Sequence, residues 1–231
     1  MRPTIISIIN DALANRKDFF IREQDIQLYL ANQFINSQSF DNVFIEYYVP
    51  GNLIKRYLKK NNSPNYSWIG KNILIDIVLE KNNLFYPIEI KYKTTTQALQ
   101  FNNIFGQKGI PVTLGQHGGQ NIGCYDFWKD IKRVELFEEI FPNVVKGVVL
   151  FASNDPTYRN APLDPKASYA QFSIHDGRKV SVSKDSPLDW NNGSCGTAKG
   201  RPAIHLIHDY NIVWTQMKQM QQIQDLYYIL T

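Results

Sequence analysis

The chain has 231 residues, of which 43% are apolar, 20% charged and 13% aromatic, a composition typical of a soluble globular protein. We expect a single domain over residues 1–231, with its core over about 20–152 and a C-terminal elaboration over about 153–231. The formal net charge of +4 allows a nucleic-acid partner but is too small to require one.

Cysteine content and hydropathy exclude several classes of protein. Cys124 and Cys195 lie far apart without a CxxC pattern, which argues against a disulfide framework or a structural zinc site. The first residues lack the long apolar core of a signal peptide, and no stretch approaches the ~20 apolar residues that span a bilayer. We therefore expect a cytoplasmic protein without a membrane partner.

Two N-terminal segments have apolar residues at helical spacing. The first predicted helix covers residues 4–14, and the second runs over about 22–36. In the second helix Glu23 and Gln27 are four residues apart, so both project from one side.

A strand is predicted at 43–49; it carries Glu46 and ends at Pro50-Gly51. The polar segment 51–72 that follows has two interpretations. It is either a solvated loop with a short helix or a flexible basic arm that contacts phosphates and stacks on bases. Its basic residues are Lys55, Arg56, Lys59, Lys60 and Lys71, and its aromatic residues are Tyr57, Tyr66 and Trp68.

Two apolar runs, 72–79 and 85–92, are predicted to pair as a β-hairpin, because Lys81-Asn82-Asn83 between them is typical of a turn. Asp76 lies in the first run and Glu89 in the second. A carboxylate in a buried strand is costly unless it is paired, hydrogen-bonded or bound to a metal.

The rest of the chain is predicted to form further helices, strands and loops. Residues 109–123 are expected to form an irregular loop, 125–141 a helix and 144–152 a buried strand. In the C-terminal part we expect strands at 169–174, 179–183 and 203–206, and a closing helix after Trp214.

Strand alternation places Glu89 and Lys91 on one face, and hairpin pairing brings Asp76 alongside them. Such a group is suited to divalent-metal hydrolysis of a phosphodiester. Asp76, Glu89 and the carbonyl of Ile90 are candidate Mg²⁺ ligands, and Lys91 is placed to orient water or stabilise the transition state.

Two further acids are candidates to join this site through metal-bound water. Glu23 projects from the second helix, although the helix dipole also favours an acid in a first turn. Glu46 lies on the neighbouring strand, where it is equally compatible with a surface position.

Asp76, twelve intervening residues and then Glu89-Ile90-Lys91 resemble the motif of the PD-(D/E)XK nuclease superfamily. The order of elements is similar too: a helix with an acid, a strand, the hairpin and then a helix. The stretches 22–27, 116–123 and 153–156 resemble a bacterial family within that superfamily. One departure is Ile75, where the motif often has proline.

The resemblance implies an α/β, restriction-endonuclease-like mixed central sheet flanked by helices, here with extra C-terminal strands. It implies Mg²⁺, with Mn²⁺ as a substitute, and an endonuclease acting on nucleic acid, above all DNA, in restriction or defence. A homodimer is compatible, since cutting both strands of a duplex needs two active sites. Expected nucleic-acid contacts are Lys55, Arg56, Lys59, Lys60, Lys93, His117 and Gln120.

Other interpretations stay open. Asp76, Glu89 and Lys91 could form a structural ion-pair cluster without catalysis. The protein could be a non-catalytic nucleic-acid-binding or assembly module that keeps the fold, or an enzyme acting on another phosphoester.

Overall fold

The computed structural model describes residues 1–16, 18–64, 66–101, 105–217, 223 and 225–231. It has a mixed central sheet flanked by helices, which confirms the α/β class. The helices are α1 (Arg2–Asn15), α2 (Glu23–Ser37), α3 (Gly51–Lys60), α4 (Gln120–Ile140) and α5 (Val182–Asp185). The strands are β1 (Asn42–Pro50), β2 (Asn72–Lys81), β3 (Leu84–Lys93), β4 (Gln97–Phe101), β5 (Ile110–Leu114), β6 (Val148–Ser153), β7 (Lys179–Val180), β8 (Tyr210–Asn211), β9 (Trp214–Gln216) and β10 (Tyr227–Leu230).

The central sheet has the strand order β1-β2-β3-β6-β10-β9. Its neighbours are antiparallel except β3 and β6, which run parallel and are joined by a crossover containing α4. Two small sheets, β4-β5 and β7-β8, lie outside it. No helix in the described part of the chain is long and apolar enough to cross a membrane.

Helices cover both faces of the sheet. Helices α1 and α2 pack on one face through apolar residues at helical spacing, such as Ile26, Leu30 and Phe34 of α2, which contact the side of β3 that carries Ile88 and Ile90. The other face is covered by α4 together with α3 and the C-terminal segments. The strand β3 is therefore enclosed from both sides.

The predicted hairpin is confirmed. Lys81 pairs with Leu84, and Asn82 and Asn83 between them have φ values of 52° and 60°. Both turn residues thus adopt the left-handed conformation that a two-residue hairpin favours, and asparagine tolerates it better than most residues.

The irregular loop predicted at 109–123 is wrong at both ends, since β5 occupies Ile110–Leu114 and α4 already begins at Gln120. The helix predicted after Trp214 is also wrong. The strands β9 and β10 occupy its ends, and residues 218–222 and 224 lie outside the described residues. These strands depend on pairing with each other and with β6, which is distant in sequence, so local periodicity did not indicate them.

Of the other predicted C-terminal strands, the one at 169–174 is wrong and the remaining two are shorter than predicted. Residues 169–174 contain only a 3₁₀ turn at Ala170–Phe172, and 179–183 are divided between β7 and α5. Within 203–206 a single bridge joins Ile204 to Leu188. Buried aromatic contacts rather than ladders hold this region, which is why alternation alone misassigned it.

Gly147 precedes β6 at the point where that strand joins β3. A methyl group there would lie 2.6 Å from the Pro87 carbonyl oxygen and 2.9 Å from Val134 Cβ. We expect Gly147→Ala to lower the free energy of unfolding by about 1–3 kcal/mol, because rigid neighbours would have to move. Urea unfolding measures this. Gly193→Ala, which would meet nothing within 4 Å, is the control and should leave stability nearly unchanged.

Candidate active site

The strands β2 and β3 separate at the predicted acids. Their ladder runs from Lys81 opposite Leu84 as far as Ile77 opposite Ile88 and continues no further, while β3 extends along β6 on its other edge. Beyond Ile88, the edge of β3 that faced β2 has backbone donors without a strand partner. Such buried N–H groups need other acceptors.

Two carboxylates supply those acceptors. The Ile90 N–H donates to Asp76 Oδ2 over 2.6 Å, and the Tyr92 N–H donates to Glu23 Oε2 over 3.0 Å. Glu23 is the first residue of α2, so this helix begins against β3. The gap between β2 and β3 is thereby lined with acids.

Lys91 lies among these groups. Its Nζ is 3.4 Å from Glu23 Oε1 and 3.5 Å from Asp130 Oδ2, and it donates to the Ile90 carbonyl over 3.2 Å. Asp130 projects from α4 and is fully buried. The lysine therefore joins α2, β3 and α4 in one cluster.

Glu89 is also buried, at 1% exposure, and its partner is Arg133 of α4. The Arg133 guanidinium is 3.0 Å from Glu89 Oε1 and 3.2 Å from Asp130 Oδ1, and it donates to the Leu74 carbonyl over 2.8 Å. The contact with Glu89 lacks hydrogen-bond geometry, so Oε1 is a buried oxygen without a hydrogen-bond partner.

Sequence reasoning missed Asp130 and Arg133 as site residues. A signal for them was available in α4, which has apolar residues on every side and is therefore buried all round. Charged residues inside such a helix must be paired, and their position at i and i+3 places both on the face toward β3. The sequence of α4 does not show which charged residues Asp130 and Arg133 contact, because these partners lie on the strand β3 of the central sheet.

The acidic cluster, defined as Glu23, Asp76, Glu89 and Asp130, holds four carboxylates against two cations, Lys91 and Arg133. Burial raises the pKa of Asp76 to about 6, more than the Ile90 N–H and Lys91 lower it. Burial also raises the pKa of Glu89 well above its usual range, although Arg133 opposes the shift. Burial is thus the main reason that the pKa of each acid of the motif is raised.

Burial lowers the pKa of Lys91, but the surrounding carboxylates, chiefly Asp130 and Glu23, raise it by more, so the net pKa lies above its ordinary value. The side chain is consequently an ammonium ion at neutral pH. It can donate hydrogen bonds and stabilise negative charge, but it cannot act as a general base.

Glu46 lies on β1 at the same level as Asp76, between the pairs Ile45–Ile77 and Tyr47–Ile75. It is exposed and has φ of 52°, an unusual backbone for a non-glycine residue in a strand. Gln27 of α2 donates through Nε2 to Glu46 Oε1 over 2.8 Å and to the Asp76 carbonyl over 2.7 Å. Gln27 therefore ties β1 and β2 to α2 at the cluster.

The basic residues expected to contact nucleic acid lie on α3 rather than on a flexible arm. This helix is anchored by Ile54 and Leu58, which are buried between β1, β2 and α4. The four side chains are exposed on its outer face: Lys55, Arg56, Lys59 and Lys60. Ile54 and Leu58, which are four residues apart, anchor this helix, so the structure agrees with the interpretation of 51–72 as a segment that contains a short helix.

The other expected nucleic-acid contacts lie beyond the cluster, at the end of β3. Lys93 is the last residue of β3. His117 Nδ1 accepts the Thr94 N–H over 3.0 Å, so a neutral ring carries its proton on Nε2. Gln120 donates to Asp155 Oδ2 over 3.0 Å. The hydrogen bonds of His117 and Gln120 thus stabilise the segment between β5 and α4.

The donor set fits a hard divalent cation. Asp76, Glu89 and the Ile90 carbonyl are oxygen ligands of the kind Mg²⁺ prefers, and the surplus of negative charge favours a cation. Within the described ranges no group of three or more His, Cys, Asp or Glu side chains is arranged to hold a metal ion. The set is therefore limited to two carboxylates and a carbonyl, and Arg133 competes for Glu89.

No protein-family model matches the chain, and neither a curated protein nor a solved structure matches it.

The raised pKa of Asp76 makes stability depend on pH. The folded state holds this proton more tightly than the unfolded chain, so its stabilising contribution is lost as pH rises through about 6. Asp76 alone should make the protein about 1.4 kcal/mol more stable at pH 5 than at pH 8. Asp76→Asn should remove that part of the difference in urea unfolding without added metal.

The matched control is Asp18→Asn, since the Asp18 side chain is 84% exposed and lies outside the cluster. It should keep the wild-type pH dependence. If Asp76→Asn kept the wild-type pH dependence, the pKa of Asp76 would not be raised in the folded protein.

Proposed function

We propose that the protein is a Mg²⁺-dependent nuclease of the PD-(D/E)XK superfamily, with the restriction-endonuclease-like fold, that hydrolyses phosphodiester bonds of DNA. One observation carries this proposal. Four acidic side chains meet only two cations where β2 and β3 separate, and burial raises the pKa of both acids of the motif. A purely structural ion-pair network would be expected to balance its charges.

The order of the elements supports the same conclusion. An acid opens α2, β1 follows, Asp76 lies on β2, Glu89 and Lys91 lie on β3, and α4 leads to a strand parallel to β3. This is the order that the resemblance implied.

The chain's own residues have distinct tasks in the proposed reaction. Lys91 presents its ammonium beside the Ile90 carbonyl, where it can donate to the attacking water or to a phosphate oxygen as charge develops. Glu23 and Asp130 hold that ammonium in place from two sides. Gln27 fixes the backbone at Asp76, so the carboxylate and the lysine keep their relative positions.

Asp76, Glu89 and the Ile90 carbonyl would hold Mg²⁺. When bound, the ion supplies positive charge to the phosphate and lowers the pKa of water. The chain's contribution is to bury two acids whose pKa is raised, so that a cation relieves an existing electrostatic cost. Arg133, 3.0 Å from Glu89 Oε1, is the cation that faces this acid when no metal is bound.

Cleavage assays test the proposal directly. With Mg²⁺ or Mn²⁺, the protein should cut plasmid, linear or single-stranded DNA, and EDTA should stop it. Asp76→Asn keeps an acceptor for the Ile90 N–H but loses the charge, and Lys91→Ala loses the ammonium. Each should lower the rate by about 100-fold or more, because each removes charge stabilisation or activation in the transition state.

Lys81→Ala is the control for these variants, because Lys81 lies in the same hairpin but pairs with Asp41 on the surface. It should retain the wild-type rate. The proposal is wrong if metal-dependent cleavage persists unchanged in folded Asp76→Asn and Lys91→Ala.

A second candidate is a non-catalytic nucleic-acid-binding or assembly module. It is favoured by the backbone hydrogen bonds that Asp76 and Glu23 already accept and by the Arg133–Glu89 contact. In such a module Asp76 and Glu23 would only accept hydrogen bonds from the backbone of β3, and the acids would bind no metal.

Calorimetric titration with Mg²⁺ or Mn²⁺ separates the two. We expect the wild type to bind one cation and Glu89→Gln to lose at least about tenfold in affinity, since one of two carboxylate ligands becomes neutral. At pH 6 Asp76 is near its pKa, so binding should release protons and the heat should depend on the buffer. Equal binding by the wild type and Glu89→Gln, or no binding, would favour the module.

A further inference from the structure

Two adjoining depressions meet at Asn72, the first residue of the strand that carries Asp76. The inner one, about 210 Å³, is lined by Trp68, Lys129 and Arg133 among others. The outer one, about 390 Å³, is lined by Tyr48, Lys55 and Lys71 among others. Asn72 lines both, so the two depressions adjoin at this residue, and together they are called here the Asn72 groove.

The inner end of the groove reaches the acidic cluster. Arg133 lines the groove, and the same guanidinium is 3.0 Å from Glu89. It also donates to the carbonyl of Leu74, another residue of the groove wall, over 2.8 Å. A chain lying in the groove would thus arrive beside the acids of the motif.

The lining of the groove is cationic. It contains Lys55, Lys71, Lys129 and Arg133, and neither depression is lined by a described aspartate or glutamate. Lys129 pairs with Asp126 over 2.6 Å. No salt bridge within the described part of the chain engages Lys55 or Lys71. These two lysines are therefore available to an anionic partner, and the charge favours a polyanion.

Two supported aromatic rings lie along the same path. Trp68 lines the inner depression and stacks on Tyr66 with ring centroids 4.8 Å apart, and Tyr66 is itself buried. Tyr48 lines the outer depression, is 53% exposed, and donates through its hydroxyl to Asn72 Oδ1 over 3.1 Å. Fixed rings between cations are the arrangement on which unpaired bases stack.

The backbone holds the two sides of the groove together. The Gly51 N–H at the start of α3 donates to the Lys71 carbonyl over 3.0 Å, and Pro50 pairs with Asn72 between β1 and β2. The lysines and aromatic rings therefore have positions set by the sheet rather than by a loose loop. Little ordering is needed when a ligand binds.

We infer that the Asn72 groove binds one unpaired strand of nucleic acid, with bases stacked on Trp68 and Tyr48 and phosphates paired with Lys71 and Lys55. The inference rests on the proposed function only for what then happens to the strand at the acidic cluster. A duplex offers the rings no free base face, so the groove should prefer single-stranded substrate.

Fluorescence anisotropy in EDTA tests binding apart from cleavage. The probes are a labelled single-stranded DNA of about 16 nucleotides, its RNA equivalent and the DNA duplex of the same sequence. The wild type should bind at least one single strand about tenfold more tightly than the duplex. The DNA and RNA arms show which sugar the groove accepts.

Three variants locate the binding. Trp68→Ala should weaken single-strand binding by about tenfold, whereas Trp68→Phe, which keeps a ring, should lose much less. Lys71→Ala should weaken it and reduce the slope of log K against log salt by about 0.7, one phosphate contact. Lys71 is exposed, so this variant should fold even if Trp68→Ala does not. Lys179→Ala, on β7, is the matched lysine control and should bind like the wild type.

The inference is overturned if folded Lys71→Ala and Trp68→Phe or Trp68→Ala bind like the wild type, or if the duplex binds as tightly as the single strands. Its failure is distinguishable from failure of the proposed function. Cleavage by a wild type whose groove variants bind normally would refute the groove alone. Groove-dependent binding without any Mg²⁺-dependent cleavage would refute the nuclease alone.

Discussion

The N–H groups of Ile90 and Tyr92 need acceptors once β2 has turned away from β3, and the rest of the site follows from how that need is met. Asp76 and Glu23 accept those bonds, which draws the start of α2 and the middle of β2 to the same edge. Gln27, one turn along α2, then binds the backbone at Asp76. The separation of β2 from β3 thus brings Asp76, Glu23 and Gln27 together at one edge of β3.

Covering β3 from the other face has an electrostatic consequence. The buried helix α4 places Asp130 and Arg133 over Glu89 and Lys91, so a third and fourth carboxylate are enclosed with two cations. Burial is the main cause that raises the pKa of both motif acids. A stable fold tolerates this arrangement because each charge has at least one partner, but the sum stays negative.

Much of the local structure was predictable from particular residues. Asn82 and Asn83 between apolar runs gave the hairpin, and the apolar spacing in α1 and α2 gave both helices nearly to their ends. The interpretation of 51–72 stayed open because five lysines and arginines outweigh Ile54 and Leu58 in composition, although those two residues anchor a helix. Strands such as β9 and β10 were missed because their partners lie far away in sequence.

By itself the sequence determined which strands carry Asp76, Glu89 and Lys91, since alternation and turn chemistry act over a few residues. Only the tertiary structure decided that Asp130 and Arg133 join the cluster, because they reach it from a helix about 40 residues later in the chain. It also decided that Glu23 accepts a hydrogen bond from the β3 backbone in addition to pairing with Lys91. In the same way, Trp68, Lys71 and Arg133 come to line one groove only in the folded chain. Side-chain chemistry is local, whereas the balance of buried charge depends on every element that packs around it.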